Sequence, residues 1–263
     1  MATNDMLNSM VDVGLYGPES VTWRVHGDPI MPLAGPRTLL LQALQPEAMA
    51  GVAGNSGFRD DPWGRLHRTA EYVGITTFGT TAEAERAGAK VRGIHRRLGL
   101  DDPHLLLWVH CTEVESFLDV VTRSGLRLTA EEKDRYYLEQ VANARLVGLE
   151  SAPTTREAMA EYFRSMRPEL RVTPAARDAA RFVMSPPLSG RMRPLKPAWF
   201  GIAGVSVAML PRWARRMYRL PGLPTTDVGA TAAGIALRTS LLALPDHLRH
   251  GPHWRAAQDR LSA

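Results

Sequence analysis

Residues 80–99 read TTAEAERAGAKVRGIHRRLG, and this stretch decides the fold class. Thr80 followed three residues later by Glu83 is a capping box, in which two side chains satisfy the free N–H groups that open a helix. Val91, Ile94, His95 and Leu98 then fall at i, i+3, i+4 and i+7, one apolar stripe of a helix. Gly99 supplies the stop. The same punctuation recurs along the chain. Asp61-Pro62 opens a helix that Gly79 ends, Asp102-Pro103 opens a long one to Arg123 before Gly125, and Thr129 with Glu132 opens another to Leu146 before Gly148. Further helices are predicted over 154–166, 173–184, 197–210 and 227–244. Upstream, a helix is predicted over 36–52 through Leu39-Leu40-Leu41, kinked by Pro46. No run alternates apolar and polar residues as a half-buried strand would. The expected architecture is all-α: one globular multi-helix domain over residues 35–263, preceded by an irregular arm over 1–34 marked by Gly17-Pro18, Gly27, Pro29 and Pro32. The proline-rich stretch 185–197 reads as a surface connection.

Composition narrows the function classes. The chain has 263 residues, enough to bury a large core, with 44% hydrophobic and 22% charged residues. Its net charge of +5 is scattered among nearly as many carboxylates, without the basic stripe and interleaved aromatics of a nucleic-acid binder, so no nucleic-acid partner is expected. Such a charge suits acidic guests, among them the propionates of a cofactor. Cys111 is the single cysteine, which excludes an internal disulfide and a cysteine-based zinc cluster. The first sixteen residues lack the basic start of an export signal, and no apolar run is long enough to span a bilayer, so the cytoplasm is the expected compartment.

The chain has no HExxH, no phosphate-binding GxxxxGK[ST], no dinucleotide fingerprint and no CxxCH for covalent haem attachment. What remains is a set of histidines and arginines on amphipathic helices. His95 lies on an apolar face, where a bare imidazole is costly. It is either a core histidine bonded to an oxygen or a metal or haem ligand. His110 shares a face with Leu106, Glu113 and Phe117, and reads either as a structural pair with Glu113 or as a ligand or the polar group above one. Arg65, Thr69, Tyr72 and Thr76 form a stripe with Arg68 beside it. The alternatives are a salt-bridged surface face and a cradle for a carboxylate, which the planar guanidinium grips through two oxygens at once. The apolar run 198–210, followed by Arg212, Arg215, Arg216 and Arg219, reads as a buried helix entering a basic turn, with a peripheral membrane contact as the alternative. The small residues from Val228 to Ala236 suit tight helix packing at a homodimer contact.

Taken together these stretches resemble the MpaB-type oxygenase family, which includes the latex-clearing rubber oxygenases. The resemblance is carried by Trp23 with Gly27-Asp28-Pro29, by Gly35-Pro36-Arg37 and Leu39-Leu40-Leu41-Gln42, and most clearly by Phe58-Arg59-Asp60-Asp61-Pro62 with Gly64-Arg65-Leu66 and Arg68-Thr69. Val91-Arg92 with His95, Trp108-Val109-His110, Tyr136-Tyr137, Thr173-Pro174-Ala175-Ala176-Arg177 and Leu210-Pro211 with Arg215 and Arg216 continue it. The resemblance implies a helical fold enclosing one non-covalent b-type haem. His95 would be the proximal iron ligand and His110 the second choice. Arg65, Arg68 and Thr69 would lie on the distal side, where dioxygen or peroxide and substrate meet, with Tyr72 on the same helix. It further implies oxidation of a small apolar substrate. Three departures stand out. Arg68 replaces a lysine and cannot give up its proton, Gln45-Pro46 stands where relatives have His-Pro, and an export signal is lacking, so rubber cleavage is not expected. Two other readings use the same residues: a haem sensor without turnover, and a metal-free helical interaction protein.

Overall fold

The computed structural model describes residues 11–55, 62–187 and 190–262, and among them there are helices and turns but no strand. The capping signals do what the sequence predicts. In α5 (Thr81–Leu98) the Thr80 hydroxyl accepts from the Glu83 N–H and the Glu83 carboxylate accepts from the Thr80 N–H at 2.8 Å, while Gly99 closes the helix in the left-handed region at φ +65°. Asp102 caps α6 (Pro103–Arg123), and Thr129 and Glu132 repeat the capping box at α7 (Ala130–Leu146). Thr155 caps α8 (Arg156–Met166), and Thr173 caps α9 (Pro174–Met184), whose first residue is a proline. The Asp61 cap of α4 (Pro62–Phe78) falls outside the described residues, as does the 56–60 loop.

The kinked helix expected over 36–52 is instead two helices, α2 (Ala34–Gln42) and α3 (Pro46–Asn55). Pro46 lacks an N–H and cannot continue a helix, but it suits a first turn. Gln45 completes the break: its Oε1 accepts from the Ala48 N–H at 2.7 Å, so the side chain acts as a cap. Within the segment expected as an irregular arm lies α1 (Val21–His26), capped by Ser20. Trp23 of α1 packs with Tyr16 and Phe78, and its indole N–H donates to the Tyr16 carbonyl at 2.6 Å. The expected surface connection 185–197 contains a 3-10 turn, Gly190–Leu195, and then α10 (Lys196–Ala208). Beyond it run α11 (Arg212–Met217), α12 (Pro224–Leu242), the short α13 (Asp246–Arg249) and α14 (Pro252–Ser262). No sequence expectation covered α14, although Trp254, Ala257 and Leu261 are spaced for its buried face.

The core forms around α6, which buries Trp108, Cys111, Val114, Phe117 and Val121. α2 lies along it and α7 packs beside it. Arg37 of α2 fastens the pair. Its fully buried guanidinium meets both oxygens of Glu115, at 2.7 and 3.0 Å, and lies 3.3 Å from Asp119, while its Nε donates to the Met209 carbonyl at 3.1 Å. α4 and α5 form an antiparallel hairpin of nearly equal arms, turning at Gly79-Thr80. None of the helices, among the described residues, is long and apolar enough to cross a membrane.

Candidate active site

α5 ends beside α6, and the space between them, closed by α2, α3 and α9, is a cavity of about 150 Å³. Its wall is apolar: Leu39, Met49, Leu106, Val109, Phe182 and Val183 face it, with the Gln42 amide as a polar exception. His95 stands on this wall. The ring is half-buried, and its Nδ1 is buried with no hydrogen-bond partner among the described residues. Loss of hydration lowers the His95 pKa below the usual histidine range, against a small opposing pull from Asp101. The shift favours the neutral imidazole, the form in which a ring nitrogen binds a metal.

His110 follows Val109 on α6 but is turned about 100° away from the cavity wall. It is buried, and loss of hydration pushes its pKa down to about 4. Glu113, one turn on, keeps some surface exposed, yet its carboxyl is desolvated enough to be pushed up to about 7. Burial is what shifts both groups, and no hydrogen bond or ion pair joins these two described residues, so the pairing anticipated between them is not formed. Burial, and after it the nearby Glu113, raises the pKa of Tyr72, whose hydroxyl lies 3.4 Å from Asn143 Oδ1 on α7. On α4 the predicted stripe is graded from end to end. Thr69 and Arg68 are exposed, Tyr72 is half-buried, and Thr76 is buried with its hydroxyl returned to the Tyr72 carbonyl at 3.0 Å. Arg65 lies on the same helix, with its side chain outside the description. Among the described residues His95 alone of these side chains lines the cavity; Arg68, Thr69, Tyr72 and His110 do not. Cys111 is fully buried, and burial pushes its thiol well up, away from the thiolate a haem ligand would need.

A family model described as ER-bound oxygenase mpaB/B'/rubber oxygenase, catalytic domain, matches residues 23–240. The chain belongs to this family. No curated protein and no solved structure matches it. The match runs from Trp23 in α1 to Ser240 near the end of α12, so the MpaB/rubber oxygenase catalytic domain takes in the α4–α5 hairpin, the cavity and His95. Membership makes an oxygenase the enzyme class that the family suggests.

Two features of the interior escaped the sequence reading. One is the Arg37 cluster. The other is His26, which bonds Thr77 at 2.7 Å and Tyr136 at 3.0 Å and is pushed down to about 3 by burial. Their partners lie tens of residues away in the chain, and no local pattern announces such pairs.

Proposed function

We propose that this member of the family is a haem b-dependent oxidoreductase that oxidises a small apolar molecule, such as a lipid or secondary metabolite, with dioxygen or peroxide. The observation that carries the reading is the His95 imidazole on the wall of an apolar cavity, its buried Nδ1 without a hydrogen-bond partner among the described residues and its pKa shifted toward the neutral form. The donor chemistry suits the group. Among the described residues no three His, Cys, Asp or Glu side chains come together around a metal. A single imidazole suits a metal that brings its other ligands with it, as haem iron does. The apolar lining suits a porphyrin edge, while about 150 Å³ is less room than the 300–1,000 Å³ of a typical ligand site, so the fit rests on the donor and the lining.

When bound, the haem would supply the redox chemistry of oxygen activation. The chain's own residues would do the rest. His95 would hold the iron in its neutral form. The apolar walls would exclude water and favour an apolar substrate. Arg65 and Arg68, on the hairpin arm opposite His95, would complement propionates or hydrogen-bond an oxygen ligand together with Thr69. Arg68 keeps its proton, so it would act as a donor and a fixed charge, never as a ligand. His110, buried away from the cavity, would serve the fold.

The test is the visible spectrum of the purified protein, with haem counted against chain. A Soret band at about one haem per chain is expected. His95→Ala should lose the haem and keep its helical circular dichroism. A mutant with full haem and an unchanged spectrum would end the ligand assignment, and a wild-type chain that takes up no haem on reconstitution would end the reading itself.

A further inference from the structure

Helix α12 carries no charge on its outer face. Its 19 residues carry two charges, Asp227 and Arg238, and both are turned inward. Asp227 pairs with Arg212 and Arg215, and Arg238 donates to Asp28 at 2.8 Å. The inner face packs Ala230, Leu237 and Leu241 on the core, with Gly234 set against Ser124 and Met209. The outer face is uncharged and apolar. Val228, Ala232, Ile235, Thr239 and Leu242, spaced i, i+4, i+7, i+11 and i+14, are all exposed. Among the described residues, six of the eleven exposed large hydrophobics lie between Leu223 and Leu248. Leu223 is 65%, Val228 70% and Leu248 63% exposed. A helix of a soluble domain ordinarily puts its charges outward and its apolar stripe inward.

We infer that this face is the contact between two copies of the chain, packed with their α12 helices antiparallel about a two-fold axis at Ile235. The pattern is self-complementary about that residue. Antiparallel pairing through Ile235 sets Val228 against Leu242 of the second copy and Ile235 against itself, and brings Ala232 and Thr239 to within one residue of facing each other. The stripe has the alternating four- and three-residue spacing of a coiled-coil seam, with Gly229 and Ala236 beside it allowing close approach. Charge favours the same occupant. A chain of net charge +5 repels its copy through most faces, and this one has had its charges withdrawn. An anionic membrane would instead favour lysines and arginines along the edges of the stripe, and α12 has none free there. The area also suffices. The helix is about 28 Å long. Six large side chains along and beside it present several hundred Å² of apolar surface, on the scale of the roughly 800 Å² that each partner contributes to a stable interface.

The test is the mass of the purified protein by light scattering, with variants at the axis. The wild type should run as two chains of 29.0 kDa each, and Ile235→Glu, which sets like charges face to face, should run as one with unchanged circular dichroism. Ile235→Cys should cross-link to itself on oxidation. Cys111 is buried and stays silent, and Leu138→Cys on an exposed site of α7 should not link. A monomeric wild type overturns the inference, whether or not it binds phosphatidylcholine vesicles. So does a dimer that survives Ile235→Glu, or one in which Ile235→Cys fails to link.

Discussion

Glu113, His110 and His26 show how single residues record their surroundings. Both histidines are held neutral by burial, so the unfolded chain binds their protons first as the pH drops. Their contribution to stability is complete above about 6.5 and is lost as the pH falls toward 4 for His110 and 3 for His26. Glu113 has the opposite sign. Its folded pKa is raised from 4.5 to about 7, so its contribution is complete below 4.5 and is lost as the pH rises to 7. Glu113→Gln should therefore leave the urea midpoint unchanged at about pH 4 and raise it at about pH 8, where the wild type must hold a poorly hydrated carboxylate. Equal shifts at both pH values would mean that the carboxyl is well hydrated in the folded protein. Arg37 is the residue whose loss the core should feel most. Arg37→Met leaves Glu115 without its paired cation and Asp119 with Arg123 alone, and should cost about 3 kcal/mol in chemical unfolding, the lower end for breaking a buried ion pair because both carboxylates retain some solvent and Arg123 remains.

At the scale of the element, the helix ends were legible because capping is local: the side chain and the N–H it satisfies lie within three residues. Thr129→Ala should cost about 1 kcal/mol in urea unfolding, having removed the acceptor at the start of α7. What a helix packs against was not legible. Gly88 and Gly93 look alike in the sequence of α5, and helix propensity favours alanine at both by up to about 1 kcal/mol. A Cβ on Gly88 would lie 2.9 Å from the Leu146 carbonyl oxygen and from its Cβ, while one on Gly93 would meet nothing within 4 Å. Gly93→Ala should raise the melting temperature and Gly88→Ala should lower it. A rise in both would mean that α5 and α7 part easily. Pro46 belongs to this scale too. It read as a kink because the apolar run continues across it, and it proved a first-turn residue because the Gln45 side chain supplied the cap.

For the whole molecule, the cavity beside His95 draws on five helices that span residues 34–184, and a ligand there ties them together. Haem loading should therefore raise the melting temperature of the wild type and leave that of His95→Ala unchanged, since only a group bound to the folded state shifts the equilibrium. A similar rise in both would mean that the haem is held elsewhere. The family match over residues 23–240 covers this framework as one unit.

Local signals and their order along the chain were enough for the helical class, most helix boundaries, the exclusion of an internal disulfide and a cysteine-based zinc cluster, and the family. The sequence also singled out His95, through the apolar spacing of α5 and its Val91-Arg92 neighbourhood. It took the packing of the helices to bring His95 to a cavity while His110 turns away, to bind Arg37 and His26 in the interior, and to leave an uncharged apolar stripe of α12 outward. Those outcomes depend on which helix faces are brought together, and burial, the quantity that sets a pKa or uncovers an apolar stripe, is a property of the assembled molecule.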